Sequence, residues 1–508
     1  MKSFKFVLLF VLFLLLNTTI CYYIDCDNGD DDNGDGSLEK PFQTLDYVRD
    51  KIELAESDQI LILAGCTTHL TKRWYIGVGG TESDPLTIST YGDIEKNGKA
   101  TITGGSVTIL ASGASHFVIS NLIIKDTEAT ALSANNANHV LVENVEVYRG
   151  YKNCMVFTQG SYVTVRNCVA SVCPNNGIYF GGSETDRISH VIVEYCLAEN
   201  VTANDGIVVH EDGSGNPAGS DFIIRHNHAQ FCGEQGYDIT TGVDIILYNN
   251  TSYHNTQGGI TLGHSADNVT VLRHFSRDEP TQDTAGAIIV SIPTARVAYS
   301  IFVGNSYHMS TIPTDSNVEN IVFENNLFLP YGSLRGATFD VGAGNFNLGV
   351  YNNIFGSLDD QPQNRHIRLM NTEISKFDFN NNIYWNNNPE DTRQFLIKPD
   401  LYDFVEWQDY FDSDSNYTNP EFVDLLNEDF YLKPNSPAID KGLERGLKED
   451  YSGSKVPCSS SSFPDIGAYE YCDVSDSDND NDNDNDVDSA NSLEWNLLIL
   501  FSLIYYFI

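Results

Sequence analysis

Short runs of alternating apolar and polar residues recur along the middle of this chain. Typical copies read HVLVENVEV, YVTVRNCVA, DIILYNNTS and NIVFENNLF. The second and fourth positions of every copy are apolar, whereas the third and fifth positions are mixed. A period of two over such a run predicts a β-strand with one buried face. The eleven copies begin at His116, His139, Tyr162, His190, Asp221, Asp244, Asn268, Arg296, Asn320, Asn347 and Lys376.

The spacing of these copies predicts how the strands are arranged. Successive copies start 23 to 31 residues apart, which is typical of a solenoid in which each strand forms one side of a coil. The sixth position is Asn in seven copies, and because coils stack about 4.8 Å apart, these amides can bond along a ladder. A second strand with a Gly before it follows at Gly177, Gly206, Gly236 and Gly259. The sequence therefore predicts an all-β parallel β-helix with at least eleven coils, from about residue 100 to 390.

The two ends of the chain predict its compartment. A basic start precedes an apolar run over residues 6–16, so residues 1–21 are predicted to be a secretory signal peptide. Residues 473–492 form an acidic Asn/Asp linker, and residues 493–508 form a hydrophobic tail. Its twelve terminal apolar residues are short for a bilayer core of about 30 Å. A GPI-anchor signal is therefore favoured over a short tail anchor, and we expect a secreted protein held on the outer face of the plasma membrane.

The cysteines and sequons agree with secretion. Cys26 with Cys66, and Cys458 with Cys472, are interpreted as local disulfides near the two ends of the fold. The connectivity of the central cysteines stays open, although buried free thiols are favoured for Cys168 and Cys196, which share the seventh position of adjacent copies. The central set is Cys154, Cys168, Cys173, Cys196 and Cys232. Glycosylation sequons occur at Asn200, Asn250, Asn268 and Asn416.

The charge of the chain excludes one class of partner. The sequence has 70 Asp and Glu against 29 Lys and Arg, a formal net charge of -41. Such a charge repels a phosphate backbone, so we expect no nucleic-acid partner. The same charge favours neutral or cationic glycans over polyuronates, unless calcium bridges the two.

Segments on both sides of the repeats are similar to known proteins. YYIDCDNGDDDNGDGSLEKPFQTLDYV, DQILILAG, GTESDPLTISTYGD and ATITGG come before the repeats, and NPEFVDLLNEDFYLKPNSPAIDKG and DIGAYEY come after them. Together they resemble the opening and closing segments of secreted right-handed parallel β-helix proteins of the pectate-lyase-like superfamily. The resemblance covers about residues 22–472 and implies an opening segment over 22–110, coils over 111–400 and a closing segment over 401–472.

The same resemblance implies a helical cap and a functional class. A short helix with Phe42, Leu45, Val48 and Ile52 on its apolar face would cover the N-terminal end of the coils. Many members are polysaccharide lyases, uronan epimerases or glycosidases, and others have no known chemistry. We expect a polysaccharide lyase or another carbohydrate-modifying enzyme, with lyase slightly ahead of hydrolase. The alternative is a non-catalytic surface protein that serves as a stalk or a glycan-binding rod. In both cases the expected partner is a polysaccharide or a cell-surface glycan.

Polar residues between 205 and 283 form the candidate catalytic site. His210 is expected to face outward from its strand, with Asp238 outward one coil later and His264 at the turn one coil further. Imidazole and carboxyl groups that converge on one face can transfer protons or hold a cation. His210, Asp238 and His264 are therefore the catalytic candidates, and Glu211 and Glu234 are candidate substrate contacts. The alternative is a solvated polar face.

The basic residues offer less support for a lyase. Lyases of this kind abstract a proton beside a uronic carboxylate with a Lys or Arg base, but the chain has no Lys between Lys152 and Lys376. Arg225 is a further candidate substrate contact. The fifth position of four successive copies is occupied by Glu143, Arg166, Glu194 and Arg225. Because these charges alternate at about the 4.8 Å coil spacing, a structural ion-pair ladder is the simpler interpretation.

The Asp-rich loop near the N-terminus is a candidate calcium site. Asp31, Asn33 and Asp35 match the first half of an EF-hand loop, but the twelfth position is Phe42 rather than Glu. Calcium is therefore predicted as a weakly bound cofactor, and an acidic solvated loop is an equal alternative.

Overall fold

The chain winds into a parallel β-helix with three strands in a typical coil. The computed structural model describes residues 19–105, 109–182, 187–211, 218–279, 286–304, 308–313, 318–330, 337–356, 365–370, 374–386, 394–459 and 461–472. Each strand pairs in parallel with its counterparts in the coils before and after it. We call the three stacked faces sheet 1, sheet 2 and sheet 3, in the order in which the chain passes through a coil. In one coil these are Ile178–Gly182, Ile188–Glu194 and Leu197–Glu199.

The three sheets extend from the start of the described chain as far as the strand Asn416–Tyr417. Sheet 1 comprises Trp74–Ile76, Ile109–Ser112, Ile178–Gly182, Ile207–Glu211, Gln235–Ile239, Gly258–Leu262, Gly286–Val290, His308–Ile312, Ala337–Val341, Arg365–Leu369 and Phe395–Ile397. Sheet 2 comprises Cys21–Ile24, Gln59–Leu63, Leu86–Tyr91, Ile188–Glu194, Gly219–Arg225, Val243–Tyr248, Asp267–Leu272, Thr294–Ala298, Asn320–Glu324, Asn347–Tyr351 and Phe377–Asn380. Sheet 3 comprises Thr67–His69, Ala100–Thr103, Val169–Ser171, Leu197–Glu199, His228–Gln230, Thr251–Tyr253, Phe275–Arg277, Ile301–Gly304, Leu327–Pro330, Ile354–Phe355, Ile383–Tyr384 and Asn416–Tyr417. Three long strands bend from one sheet into another, namely Ser115–Lys125, Leu132–Tyr148 and Met155–Arg166.

Short helices and antiparallel strands lie towards the two ends. Helix α1, Leu45–Lys51, begins after Thr44, whose side chain accepts a hydrogen bond from the Tyr47 amide and so caps the helix. Leu45 and Val48 are buried, as expected for a helical cap. The remaining helical segments are α2 (Ile94–Asn97), α3 (Phe404–Tyr410) and the 3-10 turns Ile374–Lys376 and Leu425–Asn427. Asp400–Tyr402 pairs antiparallel with Phe395–Ile397, and Phe422–Asp424 pairs antiparallel with Asp429–Leu432.

The repeated phrase forms sheet 2, with one correction to its register. All eleven copies are successive parallel strands, and their second and fourth positions are buried inside the coils. The pairing of Val269 with Ala295 and of Val271 with Val297 shows that the eighth copy starts at Thr294 and not at Arg296. A shift of two residues keeps every side chain on the same face of a strand. The apolar pattern therefore could not distinguish the two registers.

The sixth position of each copy turns the chain from sheet 2 into sheet 3. In the corrected register this position has a left-handed backbone in all eleven copies, with φ between 45° and 57°. Asn tolerates this conformation better than most residues with a side chain. The amides also form the predicted contacts along the stack, since Asn144 Nδ2 donates to Asn121 Oδ1 at 2.7 Å and Asn352 Nδ2 donates to Asn325 Oδ1 at 3.0 Å.

A second Asn ladder, which the sequence analysis missed, lies one position later and is buried. Asn326 N donates to Asn353 Oδ1 at 3.0 Å, and Asn353 N donates to Asn382 Oδ1 at 3.0 Å. Such amides satisfy backbone groups that water cannot reach. Asn250 belongs to this ladder, is 1% exposed, and donates from Nδ2 to the Ile224 carbonyl oxygen at 2.7 Å. The predicted glycosylation of Asn250 is therefore wrong, because the folded coil leaves no room for a glycan there.

Three disulfides and three buried thiols account for the cysteines beyond Cys21. The disulfides are Cys26–Cys66, Cys154–Cys173 and Cys458–Cys472, of which the sequence left the central pair open. Cys168, Cys196 and Cys232 are free and buried. Burial raises the pKa of the Cys196 and Cys232 thiols well above the usual range, so both are held as unreactive thiols.

Several predictions about the ends of the chain remain predictions. No helix in the described ranges is both long enough and apolar enough to cross a membrane. Residues 1–18, the acidic linker from residue 473 onward and the hydrophobic tail lie outside the described residues. Of the other sequons, Asn268 and Asn416 are exposed and Asn200 is partly exposed, so glycosylation at these three positions stays a prediction.

Candidate functional site

The outer face of sheet 1 carries the residues predicted to be catalytic. Register places Val208 beside Asp238, and Asp238 beside Thr261, in three successive coils. The glycines before these strands allow the close stacking. A Cβ on Gly206 would lie only 2.6 Å from the carbonyl oxygen of Gly236 in the next coil, so no larger residue fits there.

Asp238 faces outward, as expected, but it is not solvated. The residue is only 8% exposed. Burial, and secondarily the negative charge of Glu234, raise the pKa of the Asp238 carboxyl to about 7. Outward-facing Val208 in the preceding coil is also buried, at 2% exposed. This part of sheet 1 is therefore covered, and a carboxyl group there resists ionisation at neutral pH.

A second buried carboxyl, Asp205, adjoins Asp238 and was missed as a site residue in the sequence. It is 5% exposed, and its Oδ1 accepts a hydrogen bond from the Gln235 amide at 2.7 Å. Burial raises its pKa to about 8, with further contributions from the negative charges of Asp238 and Glu234, while His210 acts in the opposite direction. These four side chains form one electrostatic cluster across two coils. In the sequence, Asp205 is an acid directly before Gly206, and an acid followed by Gly is usual in an ordinary turn.

The two candidate histidines lie on this same face. The ring centroids of His210 and His264 are 6.4 Å apart. The Tyr179 hydroxyl donates to the backbone oxygen of His210 at 3.3 Å. Glu211 ends the strand Ile207–Glu211, and its side chain lies outside the described part of the structure. The structure thus brings His210, His264, Asp238 and Glu234 into one region.

Arg225 lies elsewhere, which corrects its assignment as a substrate contact of this site. It belongs to sheet 2, where its Nε lies 2.8 Å from Glu194 Oε2. In the two coils before this pair, Arg166 Nε lies 2.7 Å from Glu143 Oε1. The alternating charges therefore form the structural ion pairs that were the simpler interpretation.

Four buried hydroxyl groups near Asp238 have no hydrogen-bond partner among the described residues. They belong to Thr240, Thr241, Thr261 and Ser265. Thr261 is the register neighbour of Asp238, and Ser265 follows His264. A buried hydroxyl without a partner costs about 1–3 kcal/mol. This arrangement suits a ligand that supplies several hydrogen-bonding groups of its own.

The candidate calcium residues are used within the N-terminal loop. Asp31 accepts a hydrogen bond from the Thr44 hydroxyl at 2.6 Å and so holds the start of α1. Asn33 Nδ2 donates to Asp30 at 2.9 Å, and Asp35 accepts from a backbone amide two residues later. Within the described ranges, no three or more His, Cys, Asp or Glu residues are grouped so that they could hold a metal ion. Calcium binding stays a prediction.

Comparison with protein families decides the class of this fold. The family model described as a right handed beta helix region matches residues 107–276. Together with the stacked parallel coils, this match over about a third of the chain identifies the fold as a right-handed parallel β-helix. The prediction of fold class is thereby confirmed, and the matched region of the β-helix contains the face that carries His210, Asp238 and His264. No curated protein matches the sequence significantly.

Several solved structures are similar to this chain over part or most of its length. A GH136 lacto-N-biosidase from Eubacterium ramulus is 14% identical with a TM-score of 0.48, and the match covers 63% of this chain and 65% of that one. The chain thus spans about two thirds of the length of that enzyme. A PL6 family polysaccharide lyase from Pseudopedobacter saltans is 15% identical, with coverages of 74% and 92% and a TM-score of 0.49. The pectate lyase Pel9A is 13% identical, with coverages of 90% and 97% and a TM-score of 0.42. Each is a likeness of fold only.

Proposed function

We propose that this β-helix protein hydrolyses a neutral polysaccharide at the outer face of sheet 1. The observation that carries the proposal is the pair of buried carboxyl groups on adjacent coils, Asp205 and Asp238, whose pKa values are raised to about 8 and about 7. Two interacting carboxyls titrate as a pair and retain a proton at neutral pH. A protonated carboxyl at neutral pH is what a glycosidase needs as its general acid.

The reaction divides between this pair and Glu234. The protonated member of the Asp205–Asp238 pair donates its proton to the glycosidic oxygen as the bond from that oxygen to the anomeric carbon breaks. Glu234, which is partly exposed, accepts a proton from the water molecule that attacks the anomeric carbon. His210 and His264 supply ring nitrogens that can bind sugar hydroxyls. The buried hydroxyls beside Asp238 that have no partner among the described residues could also bond with sugar hydroxyls.

The charge around the site favours a neutral substrate over a uronan. Glu234, and the Asp205–Asp238 pair once it ionises, would repel a sugar carboxylate. Among the described residues, no Lys or Arg shifts the pKa of Asp205 or Asp238, and Arg225 is paired on another sheet. A lyase needs a cationic partner for the substrate acid, so these observations favour hydrolysis over the elimination expected from the sequence.

The test measures new reducing ends released from neutral polysaccharides by the purified protein. Asp205→Asn and Asp238→Asn should each lower the rate by about 100-fold or more, because each removes a titratable member of the acid pair. Asp244→Asn is the control, since that carboxyl is exposed on sheet 2. Activity should fall as the pH rises above about 7, because the general acid then loses its proton.

Three results would contradict this function. Unsaturated products from uronans, detected by ultraviolet absorbance, would identify a lyase. Glycan binding without cleavage would support a glycan-binding rod. Full activity in the Asp205→Asn, Asp238→Asn double variant would move the catalytic site to another part of the protein.

We also propose that the protein works outside the cell. Three disulfides in the described chain favour an oxidising compartment, and both termini have the composition of targeting signals. Protein released from cells by a phosphatidylinositol-specific phospholipase should lack residues 1–21 and about 492–508. An intact mass that includes the hydrophobic tail would refute the anchor.

A further inference from the structure

A column of stacked rings runs along the outer face of sheet 2, away from the proposed catalytic face. The ring centroids of His116 and His139 are 4.4 Å apart, those of His139 and Tyr162 are 4.7 Å apart, and those of Tyr162 and His190 are 4.5 Å apart. The rings are nearly parallel, with interplanar angles of 8°, 6° and 26°. At the end of the column, His190 Nε2 lies 3.4 Å from Asp221 Oδ2.

The backbone explains this alignment. All five residues begin copies of the repeated phrase, and all five have φ between 54° and 63°. The same left-handed turn therefore aims each side chain in the same direction, and the coil spacing of about 4.8 Å brings the rings into contact. Because neighbouring rings cover one another's faces, the column presents its edges, which carry imidazole nitrogens and the Tyr162 hydroxyl.

An open groove lies beside these rings. Its volume is about 720 Å³. Outward-facing Val118, Leu141, Ile192 and Ile223 line it together with the ring column, and Arg166 also contributes to its wall. These four apolar side chains are partly exposed, and Thr164 takes the equivalent position in the coil between Leu141 and Ile192. Apolar surface that recurs along a strongly charged protein often marks a binding surface.

The middle of the groove carries no unpaired charge among the residues that line it. Arg166 is bonded to Glu143 at 2.7 Å. The two carboxylates of the lining, Glu82 and Asp221, belong to its first and last coils, and Asp221 Oδ2 lies 3.4 Å from His190 Nε2. These carboxylates and the formal charge of -41 on the whole chain disfavour an anionic ligand, whereas the paired charges, apolar side chains and ring edges between them suit a neutral one.

We propose that this groove is a second glycan site, which binds a linear neutral polysaccharide along the stack of coils. Sugar C–H faces would lie on the apolar side chains, and sugar hydroxyls would bond with the ring edges that recur once per coil. A groove that repeats every coil suits a polymer that repeats along its length. This second site would bind the same class of ligand as the proposed catalytic site, but it lies on a different sheet and uses different residues.

The experiment is calorimetric titration with defined neutral hexasaccharides from β-1,4-glucan, β-1,3-glucan, mannan and xylan, with hexagalacturonate as the charged probe. The Asp238→Asn background prevents cleavage during the titration. Leu141→Asn and Tyr162→Ala should each weaken one binding event by about tenfold or more. Ile246→Asn is the matched control, because Ile246 continues the apolar column beyond Ile223 and is 43% exposed, but does not line the groove.

The outcomes separate this site from the catalytic one. Loss of one binding event in Leu141→Asn, with unchanged cleavage of a short soluble substrate in an otherwise wild-type protein, supports the second site. If the wild-type protein cleaves nothing but Leu141→Asn still loses hexasaccharide binding, the second site stands and the proposed catalysis fails. Equal affinities in all variants, or tighter binding of hexagalacturonate, would overturn the second site. A dimer that Leu141→Asn dissociates without any effect on glycan binding would identify the groove as an interface between two copies of this chain.

Discussion

Replacing Asp238 by Asn should make the protein more stable at alkaline pH. Asp238 is 8% exposed, and its carboxyl must ionise inside the covered face of sheet 1 as the pH rises. Burial and Glu234 raise its pKa from 3.8 to about 7. The folded protein thus keeps a proton that the unfolded chain has already released. Asn has nearly the same shape and has no charge to develop.

The size and sign of the effect follow from this difference in pKa. A carboxyl with a raised pKa binds more protons in the folded state than in the unfolded state between about pH 4 and about pH 7, so stability falls as the pH rises through this window. A difference of about 3 pH units corresponds to about 4 kcal/mol at 1.36 kcal/mol per unit. Because Asp205 and Asp238 interact electrostatically and titrate as a pair, we expect Asp238→Asn to gain about 2–4 kcal/mol over the wild type at about pH 8. The gain should be less than about 1 kcal/mol at about pH 4, because that pH is close to the unfolded pKa of 3.8 and the unfolded carboxyl is only about half ionised there.

Urea unfolding at about pH 4, 6 and 8 measures this prediction. Asp32→Asn is the control, because Asp32 is exposed in the N-terminal loop and its charge should make little difference between folded and unfolded states. A free energy of unfolding that falls with pH equally in Asp238→Asn and the wild type would refute the reasoning. So would a gain that is the same at about pH 4 and about pH 8.

Two further predictions concern the packing of the coils. Gly206→Ala should lower the free energy of unfolding by about 1–3 kcal/mol, because its Cβ would lie 2.6 Å from the Gly236 oxygen. Gly77→Ala is the control in the same urea titration. Its Cβ would meet nothing closer than 3.8 Å, so the free energy of unfolding should change little. Asn353→Ala should cost about 1–3 kcal/mol, because it leaves buried backbone groups of the ladder unpaired. The exposed Asn435→Ala should melt close to the wild type in calorimetry, and equal melting of the two Asn variants would show that the buried ladder contributes little.

The strands were predictable because each one has a complete local signal. Alternation with a period of two identifies the buried face of a strand, and the interval between copies identifies the coil. Register was the exception. Ala295 and Val297 are both small apolar residues on the buried face, so a shift of two residues satisfies the same pattern. Only the pairing with the previous coil, which depends on the length of the turn, decides between them.

The Asn ladders show a second limit of sequence patterns. The sixth position was identified because seven of its residues are Asn. The seventh position holds Leu, Val, Cys, Asn, His and Ser in different coils, so its buried ladder is interrupted and does not stand out. The chemical requirement is the satisfaction of backbone amides inside a turn, and several residue types meet it. This also explains why Asn250 was taken for a glycosylation site.

The sequence predicted which way the side chains of the candidate site face, but it did not predict how far they are buried. Alternation along a strand placed His210 and Asp238 outward, because it depends only on the backbone. Exposure depends on what covers the strand, and alternation carries no information about that. Val208 on the same outer face is only 2% exposed, so other residues must cover this part of the strand. Asp205 escaped notice because it precedes the strand, where an acid followed by Gly is usual for a turn.

The two outer faces differ in how their polar groups are satisfied, and this difference distinguishes their roles. On sheet 2, Arg166 pairs with Glu143 and each ring of the column stacks on the next, so these groups have partners without a ligand. On sheet 1, Asp238 is buried beside another carboxyl and beside Thr261, whose hydroxyl has no hydrogen-bond partner in the described part of the chain. Such an arrangement costs stability in the free protein. A ligand that shares the proton of the carboxyl pair and bonds with the hydroxyl recovers that cost, which is why proton transfer is assigned to sheet 1 and passive glycan binding to sheet 2.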